Sequence, residues 1–163
     1  MSASERAFSP DYDSARARFR EAARRARFTL SACPIGQRGP NGTELTIDFA
    51  QRGPIHASRV LVISSGLHGI EGYFGSAVQW TWLEQQTSTL SPGHRVVLIH
   101  ALNPYGFAHR RRVNEDNVDL NRNFVRQGVA FEGAHPSYRA LDPLLNPQQP
   151  PGRVDTFLLK VAP

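Results

Sequence analysis

The chain has 163 residues, 40% of them hydrophobic and 20% charged, with a formal net charge of +5. That size and balance fit one ordinary globular domain and exclude a disordered or collagenous polypeptide. The longest apolar run, Val60 to Ile63, is far short of the roughly 20 residues a bilayer span needs.

The N-terminus lacks the apolar centre of a signal peptide. Cys33 is the only cysteine, so neither a disulfide framework nor a cysteine-based zinc site is available, and a reducing cytoplasm is the expected compartment. Cys33 precedes Pro34 without a flanking motif and reads as a buried or inert thiol. The positive charge is almost all arginine, with Lys160 the sole lysine. No helix-turn-helix, finger or single-strand binding motif accompanies it, so no nucleic-acid partner is expected, and no membrane partner either.

In chain order, residues 13 to 27 form the first expected helix. Ala15, Phe19, Ala22, Ala23 and Ala26 share one stripe at helical spacing, and Asp13 or Ser14 is placed to cap its start. Its other face carries Arg16, Arg18, Arg20, Arg24, Arg25 and Arg27 and reads as a solvated surface. Gly36 to Gly42 is turn-rich. Glu44 to Gln51 alternates, with Leu45, Ile47 and Phe49 on the expected core side. Arg59 to Ser64 is a continuous apolar strand of the kind buried on both faces of a sheet. A glycine-punctuated loop, Gly66 to Gly72, leads to a helix over 73–86 with Phe74, Ala77, Val78 and Trp82 facing the core. Arg95 to Ala101 is a further buried strand. Strand, loop, helix and strand make a β-α-β unit. The expected organisation is a single domain, 1–163, with an N-terminal helical region (1–30), a core (44–124) and a Pro-rich irregular tail (125–163). A new element is expected near Val154–Val161.

Two constellations carry chemistry. The first, Ser64-Ser65-Gly66-Leu67-His68-Gly69-Ile70-Glu71-Gly72, follows a strand directly, and strand ends in α/β sheets are where ligands bind. His68 and Glu71 are three apart and offer an imidazole and a carboxylate, both suitable zinc ligands. The glycines permit sharp turns and the close approach of a substrate. The second is Arg110-Arg111-Arg112-Val113-Asn114-Glu115-Asp116-Asn117-Val118-Asp119-Leu120-Asn121-Arg122-Asn123-Phe124. It follows Asn103-Pro104-Tyr105-Gly106-Phe107 at the end of the next strand.

Taken in order, G-L-H-G-I-E-G, N-P-Y-G-F and V-D-L-N-R-N-F resemble the zinc carboxypeptidase superfamily, and most nearly a bacterial branch that is a domain of unknown function. The resemblance covers residues 60 to 124. It implies an α/β fold with a mixed, mostly parallel β-sheet flanked by helices, of which the chain would hold the N-terminal half. It implies one zinc ion, with His68 and Glu71 as two of three ligands. Asp119 would accept a hydrogen bond from the other nitrogen of His68, Asn121 and Arg122 would hold a substrate carboxylate, and Arg112 would stabilise the developing oxyanion. Arg111 is the alternative if the loop register differs. The implied activity is hydrolysis of a peptide or amide bond next to a free carboxylate, on a small peptide or acyl-amino acid. Alternatives are a deacylase of the aspartoacylase and succinylglutamate desuccinylase group, and a non-catalytic carboxylate-binding module. The superfamily's third zinc ligand and its general-base glutamate have no counterpart here, so the chain is expected to be inactive alone and poorly soluble through exposed sheet edges. Of the remaining histidines, His56, His94, His109 and His135 have no matching context. His100, at a strand end beside the site, is the nearest substitute ligand.

Overall fold

The computed structural model describes residues 5–86, 91–123, 128 and 135–145; the element expected near 154–161 lies outside them. The chain divides into two compact units, Met1–Phe124 and Val125–Pro163.

In the first unit, a short 3-10 turn (Glu5–Ala7) leads to helix α1, Tyr12–Arg25. The cap is Asp11, not Asp13 or Ser14: its carboxylate accepts the Ser14 N–H at 2.7 Å, satisfying a donor that the first turn leaves free. Asp13 instead accepts from the Thr43 hydroxyl at 2.8 Å. The helix ends with Arg27 at φ +62, the Arg27 N–H on Arg24 O and the Phe28 N–H on Ala23 O. This is the double closure that usually employs glycine. The expected stripe is buried throughout, from Ala15 to Ala26.

Strands β1 (Thr29–Arg38) and β2 (Glu44–Arg52) form an antiparallel hairpin. β1 gives little sequence signal, because most of its residues are exposed and Pro34 and Gly36 interrupt it. Strand β3 (Arg59–Ser64), helix α2 (Gly72–Glu84) and strand β4 (His94–His100) follow. The sheet order is β1-β2-β4-β3, with β3 and β4 parallel and β2 and β4 antiparallel. The mixed sheet flanked by helices is as expected. The balance is not: among the described strands two of the three pairings are antiparallel, because the β1–β2 hairpin enters the sheet beside β4. No described helix is long and apolar enough to cross a membrane.

One core cluster joins Phe19, Ala22, Ala23 and Phe28 to Ala50 of β2, Val96 and Leu98 of β4, and Leu83 of α2. A second joins Tyr12, Ala15, Leu45, Ala101 and Phe107. Four expectations change here. On β2 the residues buried beside Leu45 are Thr46, Asp48 and Ala50, whereas Ile47 and Phe49 are half-buried. Asp48 can lie there because Arg16 donates to it at 2.6 Å, Arg20 pairs with it, and Thr46 donates to it at 2.7 Å. Hence the arginine face of α1 is not merely solvated. Arg18 caps the carbonyls of Arg6, Ala7 and Phe8 and lies 4.1 Å over the Trp80 ring, and Arg25 pairs with Glu21 and Glu84. β3 is an edge among the described strands, so Val60, Leu61 and Val62 are about half exposed instead of buried on both sides. On α2, Phe74 and Val78 are exposed, and Ser76 and Gln79 face the core with Ala77 and Leu83.

Those two polar residues lie inward because each has partners. Gln79 donates to Ile63 O and Ile99 O, joining the ends of the parallel strands, and accepts from the Ser65 hydroxyl. Ser76 meets His100 Nε2 at 3.0 Å. Cys33 is exposed on β1, so of the two expected states, buried or inert, it is not the buried one.

In the second unit, a helix, Pro136–Leu145, occupies part of the segment expected to be irregular. Tyr138, Leu141, Leu144 and Leu145 recur on it at helical spacing, and the prolines around it hide that period in the sequence.

Candidate metal and carboxylate site

The site forms where the parallel strands β3 and β4 end. After β3, the Ser65 N–H bonds Ile99 O, and Gly66 turns at φ +67 with its Cα face against Ala101. After β4, Ala101 takes φ +61, a left-handed conformation that a non-glycine residue adopts at a cost of about 1 kcal/mol. Leu102 and Asn103 then donate to Ser65 O and Gly66 O. The two loops are therefore tied to one another before any functional side chain appears.

Asn103 opens the one-turn helix α3, Pro104–Ala108. Its side chain accepts the Gly106 N–H at 2.8 Å and donates to Arg112 O at 3.3 Å. The N-P dipeptide signals such a start, an Asn cap before Pro at the first helical position, but sequence spacing does not show that the same amide reaches Arg112. Gly69 packs on this turn. A Cβ placed there would meet Gly106 C at 1.9 Å and Phe107 N at 2.2 Å. The glycine beside His68 thus serves close approach of the α3 backbone. Ile70 N–H, donating to Arg111 O at 3.1 Å, closes the same contact.

These ties bring four of the expected residues together. His68 is buried, its Nδ1 3.1 Å from Glu71 Oε1 and its Nε2 3.0 Å from Asp119 Oδ1. Arg112 donates from Nε to Asp119 Oδ2 at 3.0 Å, and its Nη1 lies 4.0 Å from Glu71 Oε1. Asp119 also accepts the Asn121 N–H at 2.9 Å, capping the 3-10 turn Leu120–Arg122. Partial desolvation pushes the Asp119 carboxyl up, but hydrogen bonds from Arg112, His68 and the Asn121 amide outweigh it and hold the group below the usual carboxylate range.

Asn121 and Arg122 are exposed on that turn, and Arg122 Nη1 donates to Asn121 O at 3.3 Å. They join the cluster through the cap and not by touching His68 or Glu71. Arg111 is turned elsewhere: it pairs with Asn117 and lies 5.8 Å over the Tyr105 ring. Of the two candidate arginines, Arg112 touches the cluster and Arg111 does not.

The His68–Glu71 edge has the dimensions of a chelating pair. Two ligands each about 2.1 Å from a tetrahedral zinc are about 3.4 Å apart, close to the 3.1 Å seen. Asp119 sits on the far nitrogen of His68, where a partner that fixes the tautomer belongs, so it is not a third ligand. Among the described residues no group of three His, Cys, Asp or Glu side chains is arranged to hold an ion. His100, the nearest candidate, does not point into the site. It is fully buried, stacked 4.6 Å from Phe19 and bonded to Ser76, and burial lowers its pKa to about 4 despite the nearby Asp48 carboxylate.

The sequence profile of a protein family of unknown function, DUF2817, matches residues 8–162. The chain belongs to that family. No curated protein matches. Among solved structures, this DUF2817 chain is similar to the carboxypeptidase A from Helicoverpa armigera, at 20% identity and a TM-score of 0.47 over 74% of this chain and 35% of that one. It is also similar to thrombin activatable fibrinolysis inhibitor, at 17% identity and a TM-score of 0.48 over 77% of this chain and 37% of that one. A Porphyromonas gingivalis glutaminyl cyclase matches at 12% identity and a TM-score of 0.37 over 61% of this chain and 47% of that one. The chain spans about a third of the length of the first two.

Proposed function

We propose that the chain supplies the metal-holding and carboxylate-gripping part of a zinc-dependent hydrolase that cleaves peptide or amide bonds next to a free carboxylate. The observation that carries this reading is the His68 ring, with one nitrogen at chelating distance from Glu71 and the other on Asp119. His68 Nδ1 and Glu71 would hold the ion, and Asp119 would keep the proton of His68 on Nε2. A zinc ion at such a site polarises a carbonyl and lowers the pKa of bound water. Arg112, half exposed beside Glu71, would face the carbonyl oxygen as it gains charge. Asn121 and Arg122 would bind the substrate carboxylate, Arg122 by its two-pronged guanidinium.

A catalytic zinc takes three protein ligands, and the described residues offer two. The expected behaviour of these 163 residues alone is therefore substrate binding with little or no turnover, in the cytoplasm. The test is calorimetry with a short peptide carrying a free terminal carboxylate and with its amidated twin, in the presence of zinc. Only the first is expected to bind, and Arg122→Ala is expected to abolish that binding. Equal binding of both peptides would remove the carboxylate-directed reading.

A further inference from the structure

The hydrogen-bond geometry gives Asp119 three partners from different parts of the chain. Oδ1 takes His68 Nε2 at 3.0 Å and the Asn121 N–H at 2.9 Å, and Oδ2 takes Arg112 Nε at 3.0 Å. One carboxylate therefore orients a candidate metal ligand and also caps the turn that carries Asn121 and Arg122. Arg112 is itself held, since Asn103, buried at the start of α3, donates to its carbonyl oxygen.

We infer that Arg112 is a positioning residue that acts through Asp119, setting the His68 tautomer and the capped 120–122 turn together. This rests on the site described under the proposed function and goes beyond the oxyanion role given to Arg112 there. Lone pairs on both sides compete for the His68 ring proton: Glu71 Oε1 faces Nδ1, and Asp119 Oδ1 faces Nε2. The Glu71 side chain is 65% exposed and the Asp119 side chain 20%. A fixed, partly desolvated acceptor wins over one that shares its lone pairs with water. Arg112 provides the fixing, as its guanidinium occupies the outer oxygen and leaves the inner one aimed at His68. With the proton on Nε2, the Nδ1 lone pair faces the Glu71 edge, as metal ligation requires. The same carboxylate rotation would release the Asn121 amide, so one substitution should loosen both groups.

The test reads the His68 ring by nitrogen-15 NMR at alkaline pH, with the ring neutral and no metal added, and follows exchange of the Asn121 amide. In the unaltered protein the Nε2–H form is expected to dominate. Arg112→Ala is expected to shift the tautomer ratio toward Nδ1–H and to speed Asn121 exchange, each by about tenfold, the lower end of what losing an outer partner costs a metal site. Asp119→Ala should do the same, and Arg112→Lys should restore part of both effects. If Arg112→Ala does not fold, Arg112→Gln against Arg112→Lys gives the same comparison, with charge as the variable. Unchanged tautomer ratio and exchange rate on loss of the guanidinium would overturn the inference. So would a change in one readout without the other. Because no zinc is used, a tautomer shift in a protein that takes up no zinc keeps this inference and removes the hydrolase reading. Zinc uptake through His68 with no shift does the reverse.

Discussion

Acid is expected to destabilise the first unit from within, through His100. The ring is fully buried between Phe19 and Phe107, with Ser76 on Nε2 and no described hydrogen-bond partner on Nδ1. Burial lowers its pKa to about 4, with Asp48 opposing the shift and Arg16 assisting it. In the unfolded chain the value is about 6.5. As pH falls through 6.5 the unfolded state takes a proton that the folded state refuses until about pH 4. The contribution is therefore complete above pH 6.5 and is lost between there and pH 4. At about 1.4 kcal/mol per unit, moving from pH 7.5 to pH 4.5 removes roughly 2.5 kcal/mol. Asp11, Asp48 and Asp119 are held below the usual carboxylate range, so what they contribute is lost only below about pH 3.9, outside this window. The assay is urea unfolding at the two pH values for the protein and for His100→Gln, which keeps a partner for Ser76 and cannot titrate. The variant should lose most of the pH dependence. An equal fall in stability in both proteins would show that His100 is not the group responsible.

Gly69→Ala should cost more than about 3 kcal/mol, the top of the usual overpacking range, because its Cβ meets the backbone of Gly106 and Phe107 and no rotamer relieves that; thermal unfolding reads it. Asp48→Asn should cost about 3 kcal/mol in urea unfolding, since it breaks a buried ion pair and leaves Arg16 and Arg20 without their anion. Arg27→Gly should raise stability by about 0.5–1 kcal/mol, because φ +62 costs glycine nothing; a midpoint that does not rise would argue against the helix-end assignment.

What could be read from the sequence was whatever had a period or a motif. The stripe of α1, the apolar strands and the order of the three motifs led to the loops after β3 and after α3, where His68, Glu71, Arg112 and Asp119 lie. Two kinds of feature were hidden. Burial phase failed wherever a polar residue is buried with partners distant in sequence. Asp48 reads as solvent-facing until Arg16 and Arg20 are placed over it, and Ser76 and Gln79 look like a wet helix face until the strand-end carbonyls and His100 are seen beneath them. Joint roles were legible in part: the resemblance put Asp119 beside His68, but only the folded loops show Asn103 holding Arg112 and the same Asp119 carboxylate capping the Asn121 turn.

The proposed function requires that His68 and Glu71 bind one metal ion together. Calorimetric titration of the purified chain with zinc, beside His68→Ala and Glu71→Ala, reads this. One saturable equivalent is expected, weakened at least about tenfold in each variant and to a similar extent in both. Zinc binding that is unchanged when either side chain is removed would contradict it.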